Sequence, residues 1–511
     1  MSNTSAPSPA PPLSHGSTCA LLGVAATCVA IVLRIPFLAE SLWVDELHTA
    51  WVVADGISDI PQRAAMGNQS PLYFFGVWAW VQVVGLDEWS LRLPSVIASA
   101  LSVGVVTAIA YRWTLNIWAA AGIGLIAAMD YDAIFYGTEA RTYALVQLVA
   151  VLQVVSAWHM TRGEHPKYGF AWCVLSLVNF YLHYSTMLFS GCLALVMLTF
   201  CTTRQARVQL LIAGGGIAVG LLVSLPHLAA IFARRGNWAH FVSAFSNNEW
   251  TRWGTLLAVL LPAVIALLAC WWRKVPTESI ERRRFYFLTA VVLLPIAVAW
   301  TTTATGIAAL FLGRFLFSSE ATLPLLLAAM LAIVPPGWLS RGAILAAVLV
   351  AGYLRLPQNW ETMRGEDWRS VTEAASARIE TMRSPPAVLV AAGLIETDIL
   401  RTPTASEPWE AFARLPIETI YALPPEVTER FGLTHTQTGQ PTPRYMSESD
   451  PFDTVVLIVR GDAARADQVA ETFMRSFTDH VYEVETPEDQ AQYVQWRILV
   501  PQFPILVPPD D

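Results

Sequence analysis

Asp45 and Glu46 are adjacent carboxylates in Leu42-Trp43-Val44-Asp45-Glu46-Leu47-His48-Thr49, just after the first long apolar run of the chain. Charge at a membrane boundary is costly unless it is solvated, paired or used, so such groups are functional candidates. They read either as two solvated boundary charges or as a general base beside a supporting acid. Adjacent like charges raise one pKa, which suits a base working near neutral pH. Glu139 and Arg141, in Tyr136-Gly137-Thr138-Glu139-Ala140-Arg141-Thr142-Tyr143, are two residues apart. They either pair at the surface, or Arg141 offers its planar fork to a phosphate while Glu139 orients it or the acceptor. His183, in Tyr181-Leu182-His183-Tyr184, is either a hydrogen-bonded structural residue or a member of the same set. Arg314, in Gly313-Arg314-Phe315, either snorkels to the headgroups or meets a leaving-group phosphate. Arg34 and Arg92, at helix ends, are assigned to interface anchoring or to pairing with neighbouring acids.

The elements that position these groups are set by composition. The chain has 511 residues, 54% hydrophobic and 14% charged, too apolar for an ordinary soluble protein, where charge runs near ~25%. The apolar residues fall in blocks long enough to cross a hydrocarbon core of ~30 Å, so a polytopic, α-helical membrane protein is expected. The net charge of −8 identifies no partner, and no basic stripe or nucleic-acid module is visible. The six cysteines lie in or beside apolar segments without CxxC spacing, which argues against a disulfide framework or a zinc site.

Residues 1–17, rich in Ser, Pro and Ala, read as a disordered tail, and residues 18–356 as the membrane domain. Thr49–Met66 has the mixed character of an interfacial helix. Pro71–Gly85 is apolar but short and rich in aromatics, which favour the headgroup level. If it does not cross, about eleven spans follow: 19–38, 92–111, 117–135, 142–159, 168–182, 185–201, 208–230, 254–272, 285–303, 315–334 and 342–356. Lys and Arg then gather in the cytoplasmic loops, and most acids, Asp45 and Glu46 included, on the opposite face. The expected topology has a cytoplasmic N-terminus and an extracytoplasmic C-terminus in the plasma (inner) membrane. Residues 357–511 change character to a small α/β domain. Helices are expected over Asp367–Met382 and Ala463–Phe477, strands over Ala387–Ala392 and Thr454–Arg460, and loop over 403–450. No catalytic constellation stands out in that domain.

Five short motifs in order carry a resemblance. Trp43, Asp45 and Glu46 match W-x-D-E, and Trp89–Ser95 contains R-L-P-S. Glu139-Ala140-Arg141-Thr142-Tyr143-Ala144-Leu145 matches E-A-R-x-Y-A-L, with Thr138 where Gln is usual. Arg314-Phe315-Leu316 stands for R-Y-L, and Asp367-Trp368-Arg369 reads D-W-R. Over about residues 19–380 this pattern resembles the GT-C membrane glycosyltransferases, the bacterial relatives of protein O-mannosyltransferases and of the lipid A aminoarabinose transferase. One departure stands out: Gln69-Ser70-Pro71-Leu72-Tyr73 occupies the place of H-P-P-L-Y.

The resemblance implies transfer of a sugar from a polyprenyl-phosphate carrier to an acceptor on the outer face, with inversion. Asp45 is then the base and Glu46 its catalytic neighbour. Arg141 and Arg314, with His183, stabilise the leaving phosphate, and Glu46 and Glu139 orient the acceptor or these cations. No nucleotide site or cofactor is expected. A divalent ion, used in parts of the wider superfamily, is not specified by these acids. The acceptor, whether protein, lipid or glycan, is left open. Competing classes are a secondary transporter, against which the missing internal repeat counts, and a non-catalytic membrane scaffold.

Overall fold

The computed structural model describes residues 14–226, 228–229, 242–276, 278–382, 386–391, 417, 419–421, 432–435, 441–444, 454–475 and 481–502. By compactness the chain forms two units. One comprises Met1–Ile35, Ser95–Thr138 and Thr142–Gln358, and the other Pro36–Pro94, Glu139–Arg141 and Asn359–Asp511. Pro36–Pro94, after the first helix, and the Glu-Ala-Arg tripeptide belong to the C-terminal unit.

In chain order the helices are α1 (His15–Arg34), α2 (Val44–Ala54), α3 (Ile60–Met66), α4 (Leu72–Val84), α5 (Glu88–Thr114), α6 (Ile117–Met129), α7 (Tyr131–Gly137) and α8 (Tyr143–Thr161). They continue with α9 (Pro166–Leu182), α10 (Thr186–Phe200), α11 (Arg204–Leu222), α12 (Asn247–Trp272), α13 (Ser279–Ala304), α14 (Gly313–Glu320), α15 (Leu323–Ile333), α16 (Trp338–Leu354) and α17 (Trp368–Glu380). Among the described residues seven helices are long and apolar enough to cross a membrane, or eight if α6 and α7, bent by 59°, form one span. The chain is thus built as a multi-pass membrane protein. Three of the expected spans are shorter: α9, α10 and α16 have 17, 15 and 17 residues, at or below the low end of ~17–25 for a straight crossing. With only 13 residues, α4 rises about 20 Å, too little to cross.

Residues 15–17, expected in the tail, open α1, and the Ser14 hydroxyl caps them by accepting from the Ser17 N–H at 3.2 Å. The remainder of that tail, residues 1–13, lies outside the described residues. The expected single helix over Thr49–Met66 is two, α2 and α3, because the chain breaks at Asp55–Asp59.

In the helical unit α1 packs on α6, α8 on α9, α12 and α6 on α16, and α13 on α15. Where α1 meets α5 the backbones nearly touch. A Cβ on Gly104 would lie 2.7 Å from the Gly23 carbonyl oxygen and against the Thr27 hydroxyl. Gly104→Ala should therefore force the two helices apart and destabilise the unit by about 1–3 kcal/mol. A melting curve of the detergent-solubilised variant checks this, and a wild-type midpoint would contradict it. Arg34 is no interface anchor. It is wholly buried, donating to Ser99 Oγ at 3.1 Å and to the carbonyls of Ala30 at 2.9 Å and Ala133 at 3.1 Å. It ties α1 to α5 and α7.

The other unit holds α2–α4, α17 and a small sheet. Its strands are β1 (Ala387–Ala391), β2 (Gly432–His435), β3 (Pro441–Arg444), β4 (Val455–Arg460), β5 (Val481–Glu485) and β6 (Val494–Gln502), with α18 (Ala463–Arg475) after β4. The sheet order is β1-β4-β6-β5, with β1–β4 parallel and the other pairs antiparallel. Val455–Val459 is buried throughout, and α18 covers the strands with Ala466, Val469, Ala470 and Phe473. Asp367 caps α17 as expected, its carboxylate accepting from the Ser370 N–H at 3.1 Å. The expected loop over 403–450 is corrected in part: β2 and β3 pair antiparallel, Gly432 opposite Arg444. Phe477, the expected end of the last helix, lies outside the described residues.

Candidate active site

Trp43 is the N-cap residue of α2, so Asp45 and Glu46 occupy its first turn, where the helix dipole favours acids. The two carboxylates meet different fates. Glu46 is fully buried. It accepts from Arg92 Nε at 2.8 Å and Nη2 at 2.5 Å, from the Ala140 N–H at 2.8 Å and from the Trp43 N–H at 3.4 Å, with Arg364 Nε 3.9 Å away. Arg92 also donates to the carbonyls of Phe37 at 3.3 Å, Leu38 at 3.1 Å and Ser41 at 3.1 Å. Glu46 thereby fastens α2 to the start of α5 and to the Glu-Ala-Arg tripeptide. Burial alone would push its carboxyl up, but the Arg92 and Arg364 guanidiniums hold it below the ordinary carboxylate range. This corrects the expectation that crowding with Asp45 raises one member of the pair. A carboxylate this engaged has no lone pair left for substrate, so Glu46 positions the site.

Asp45 keeps 27% of its side chain exposed, with Arg141 Nη2 3.8 Å from its carboxylate. Arg141 Nη1 donates to the Asp45 backbone carbonyl at 3.1 Å, so the same guanidinium meets both the backbone and the side chain of Asp45. The Gln69 amide, turned so that its oxygen meets the guanidinium, accepts from Arg141 at 2.8 Å and 2.5 Å. Gln69 is the residue that stands in place of the resembled family's histidine, and its side chain goes to the arginine of E-A-R.

Glu139 is 1% exposed, and neither carboxyl oxygen has a hydrogen-bond partner among the described residues. Burial pushes its carboxyl up to about 8 against the pull of Arg364 and Arg141. The raised acid of the cluster is therefore Glu139. His48, on α2, lies 5.8 Å from the Trp51 ring and 6.3 Å from the Phe74 ring. Burial, followed by repulsion from Arg141, pushes it down to about 3, so it is neutral.

The structure thus brings Asp45, Glu46, Glu139 and Arg141 together within one unit and adds Gln69, His48, Arg92 and Arg364. Of the added residues, Gln69 carried a sequence signal as a departure from a motif, and Arg92 was noted for pairing. Arg364 carried none.

His183 and Arg314 belong to the helical unit. His183 follows α9, shares a 2.7 Å hydrogen bond with Ser185 Oγ, and stands 5.5 Å from the Tyr143 ring and 6.2 Å from that of Phe315. Arg314 is the second residue of α14, its guanidinium 5.5 Å from the Phe315 ring centre. The same unit buries a charge network. Arg252 Nε meets Asp132 at 2.8 Å and its Nη2 meets Glu320, while Arg355 meets Asp130 at 2.8 Å and Asp132 at 2.5 Å. The carboxyl oxygens of Asp130, Asp132 and Glu320 lie within 4.8 Å of one another, a spacing that suits a cation, but the two guanidiniums already fill the space around them. Asp130, Glu320 and Arg355 border a cavity of about 50 Å³ whose other walls include Ile126, Leu256 and Leu327.

No family model matches the chain, and no curated protein does. Among the solved structures similar to it are two that cover nearly all of its length. Both are of ArnT from Cupriavidus metallidurans. The apo form matches at 14% identity and a TM-score of 0.42 over 95% of this chain and 98% of that one. The form bound to undecaprenyl phosphate matches at 13% identity and a TM-score of 0.40 over 94% and 97%. At these scores similarity to ArnT decides nothing about chemistry, which the residues must carry themselves.

Proposed function

We propose that this protein is a membrane glycosyltransferase that moves a sugar from a polyprenyl-phosphate carrier to an acceptor on the extracytoplasmic face, with inversion at the anomeric carbon. The observation that carries the reading is a division of labour in one unit: Asp45 keeps 27% of its side chain exposed beside Arg141, while Glu46 is wholly consumed in holding α2. The N-terminus is cytoplasmic, the C-terminal domain is extracytoplasmic, and the membrane is the plasma (inner) membrane. The cavity in the helical unit, walled mostly by apolar side chains, has the lining an isoprenoid segment requires.

In the reaction Asp45 takes the proton of the acceptor nucleophile, whose oxygen or nitrogen bonds to the anomeric carbon from the face opposite the phosphate. The bond from that carbon to the phosphate oxygen breaks with its electron pair, and polyprenyl phosphate leaves. Arg141 stabilises the charge that develops there, where a fixed cation acts more strongly than in water. Neutral Glu139 donates a hydrogen bond to the donor's sugar or phosphate. Arg314 and His183 stand as further phosphate candidates, with no metal or cofactor in any step. The purified full-length protein in liposomes, given a panel of polyprenyl-phosphate sugars, should release polyprenyl phosphate and form a product of inverted configuration. Retention of configuration would overturn the mechanism, and failure to turn over any such donor would overturn the reading.

Glu139 sets a pH dependence. Its raised carboxyl is protonated below about 8. As pH rises through that value the site loses a donor and gains a negative charge, so transfer should fall. Glu139→Gln, which is neutral at every pH, should retain transfer at pH 7 within about tenfold and lack this alkaline limb. An unaltered limb in Glu139→Gln would remove Glu139 from the role.

A transporter reading finds one observation in its favour, the buried acids and arginines of the helical unit. Substrate-dependent flux in the same liposomes without release of polyprenyl phosphate would favour it.

A further inference from the structure

We infer that the C-terminal domain completes the active site: its segment Met363–Arg369 holds the loop and helix that carry Asp45, and Arg364 is the guanidinium that sets the charge of the Glu139 pocket. The inference rests on the glycosyltransferase reading for its activity readout alone.

The loop that precedes α2 is gripped at four residues. Glu40 Oε1 accepts from three successive backbone N–H groups, those of Met363 at 3.0 Å, Arg364 at 2.6 Å and Gly365 at 3.3 Å. Gly365 has φ +70°, a left-handed conformation that helps three N–H groups converge on one anion. Leu42 N–H and Ser41 Oγ donate to the Tyr421 hydroxyl at 2.7 Å and 3.2 Å, and Tyr421 donates to Glu88 at 3.0 Å. Arg369 Nη2 donates to the Ala39 carbonyl at 3.0 Å.

The helix itself is held by Glu366, whose Oε2 accepts from the N–H of Val44, the first residue of α2, at 3.0 Å and from the Trp368 indole at 3.1 Å. Its other oxygen accepts from Arg460 Nε, on β4, at 2.8 Å. The sheet is thereby linked to the turn that bears Asp45 through two contacts.

Arg364 is the electrostatic part of the device. Its side chain is buried, bonded to Glu40 at 3.1 Å and 3.9 Å from Glu46. Three guanidiniums, Arg92, Arg141 and Arg364, then match three carboxylates, Glu40, Asp45 and Glu46. Glu139, the fourth acid, is buried with no hydrogen-bond partner among the described residues, and that burial keeps it protonated. The charged groups acting on it are Arg364, Arg141, Asp45 and Glu46, and removing Arg364 makes its ionisation harder still.

The test compares full-length wild type with Arg364→Gln, Arg364→Lys and Arg460→Gln in membranes, reading transfer against pH. The carboxylic C=O infrared band of Glu139 is followed in parallel, identified by its absence in Glu139→Gln. Arg364→Gln should move the alkaline limb and the band's titration upward by about one pH unit or more, and Arg364→Lys should keep both near wild type. Arg460→Gln should lower kcat with little change in KM and no shift of the limb. A limb and band unmoved in Arg364→Gln, with transfer merely reduced at every pH, would overturn the electrostatic role. Wild-type kcat in Arg460→Gln would overturn the holding role. If wild type transfers no sugar at all, the glycosyltransferase reading fails, and the infrared titration still decides what Arg364 does. If Arg364→Gln does not reach the membrane, Arg364→Lys decides alone: a band displaced as far as charge removal would displace it overturns the proposal, and one kept near wild type supports it.

Discussion

Asp45→Asn should reduce sugar transfer by about 10²–10⁴-fold, the range expected when a positioned general base is lost. The substitution is clean. Arg141 Nη1 holds this residue through the Asp45 backbone carbonyl at 3.1 Å, and the Glu46 contacts that fix α2 are untouched. Asn keeps the shape, removes the basic oxygen and with it the charge that faces Arg141 at 3.8 Å. Donor binding should change little, since Arg141 and Gln69 remain, so the loss should appear in kcat. Initial rates for wild type and variant at equal membrane abundance check this, and equal rates would remove Asp45 as the base.

The second large effect is on stability. Arg92→Met should destabilise the protein by about 3–5 kcal/mol, the cost of stranding a buried charge, because Arg92 and Glu46 are both 0% exposed. Glu46→Gln should cost less, since the amide still accepts hydrogen bonds. The double change to Met at both positions should recover part of the loss, as buried pairs replaced by apolar groups often do. Thermal unfolding of Arg92→Met, Glu46→Met and the double variant in detergent measures the cycle. The ion pair of Arg63 with Asp55 is a control: Asp55 is 62% exposed, and such pairs contribute only about 0–1 kcal/mol. If Arg92→Met unfolds no earlier than a variant of Arg63, the clasp around Glu46 is not what holds α2.

The sequence located much of this. Apolar block length placed the helices, because a span is defined locally by a run of residues that cannot be hydrated. The Asp367 cap and the buried strand Val455–Val459 were legible for the same local reason. Three of the expected spans, α9, α10 and α16, are 17, 15 and 17 residues long, at or below the low end for a straight crossing. The β2–β3 pair was missed because Gly432–His435 and Pro441–Arg444 carry neither the alternation nor the β-rich composition of a strand.

Tertiary structure alone decided the charges. Asp45 and Glu46 are neighbours in the chain and alike in type, yet one faces water and the other is sealed between Arg92 and the Ala140 amide. The acid with the raised pKa is Glu139, which the sequence paired with Arg141 either at the surface or over a phosphate. Arg364 lies far along the chain from both and left no local trace. The reason is physical: helix length and caps depend on neighbours within a few residues, whereas a carboxyl's proton depends on every charge and every water molecule within about 10 Å. In this protein those charges come from four separate stretches, brought to one place only by folding.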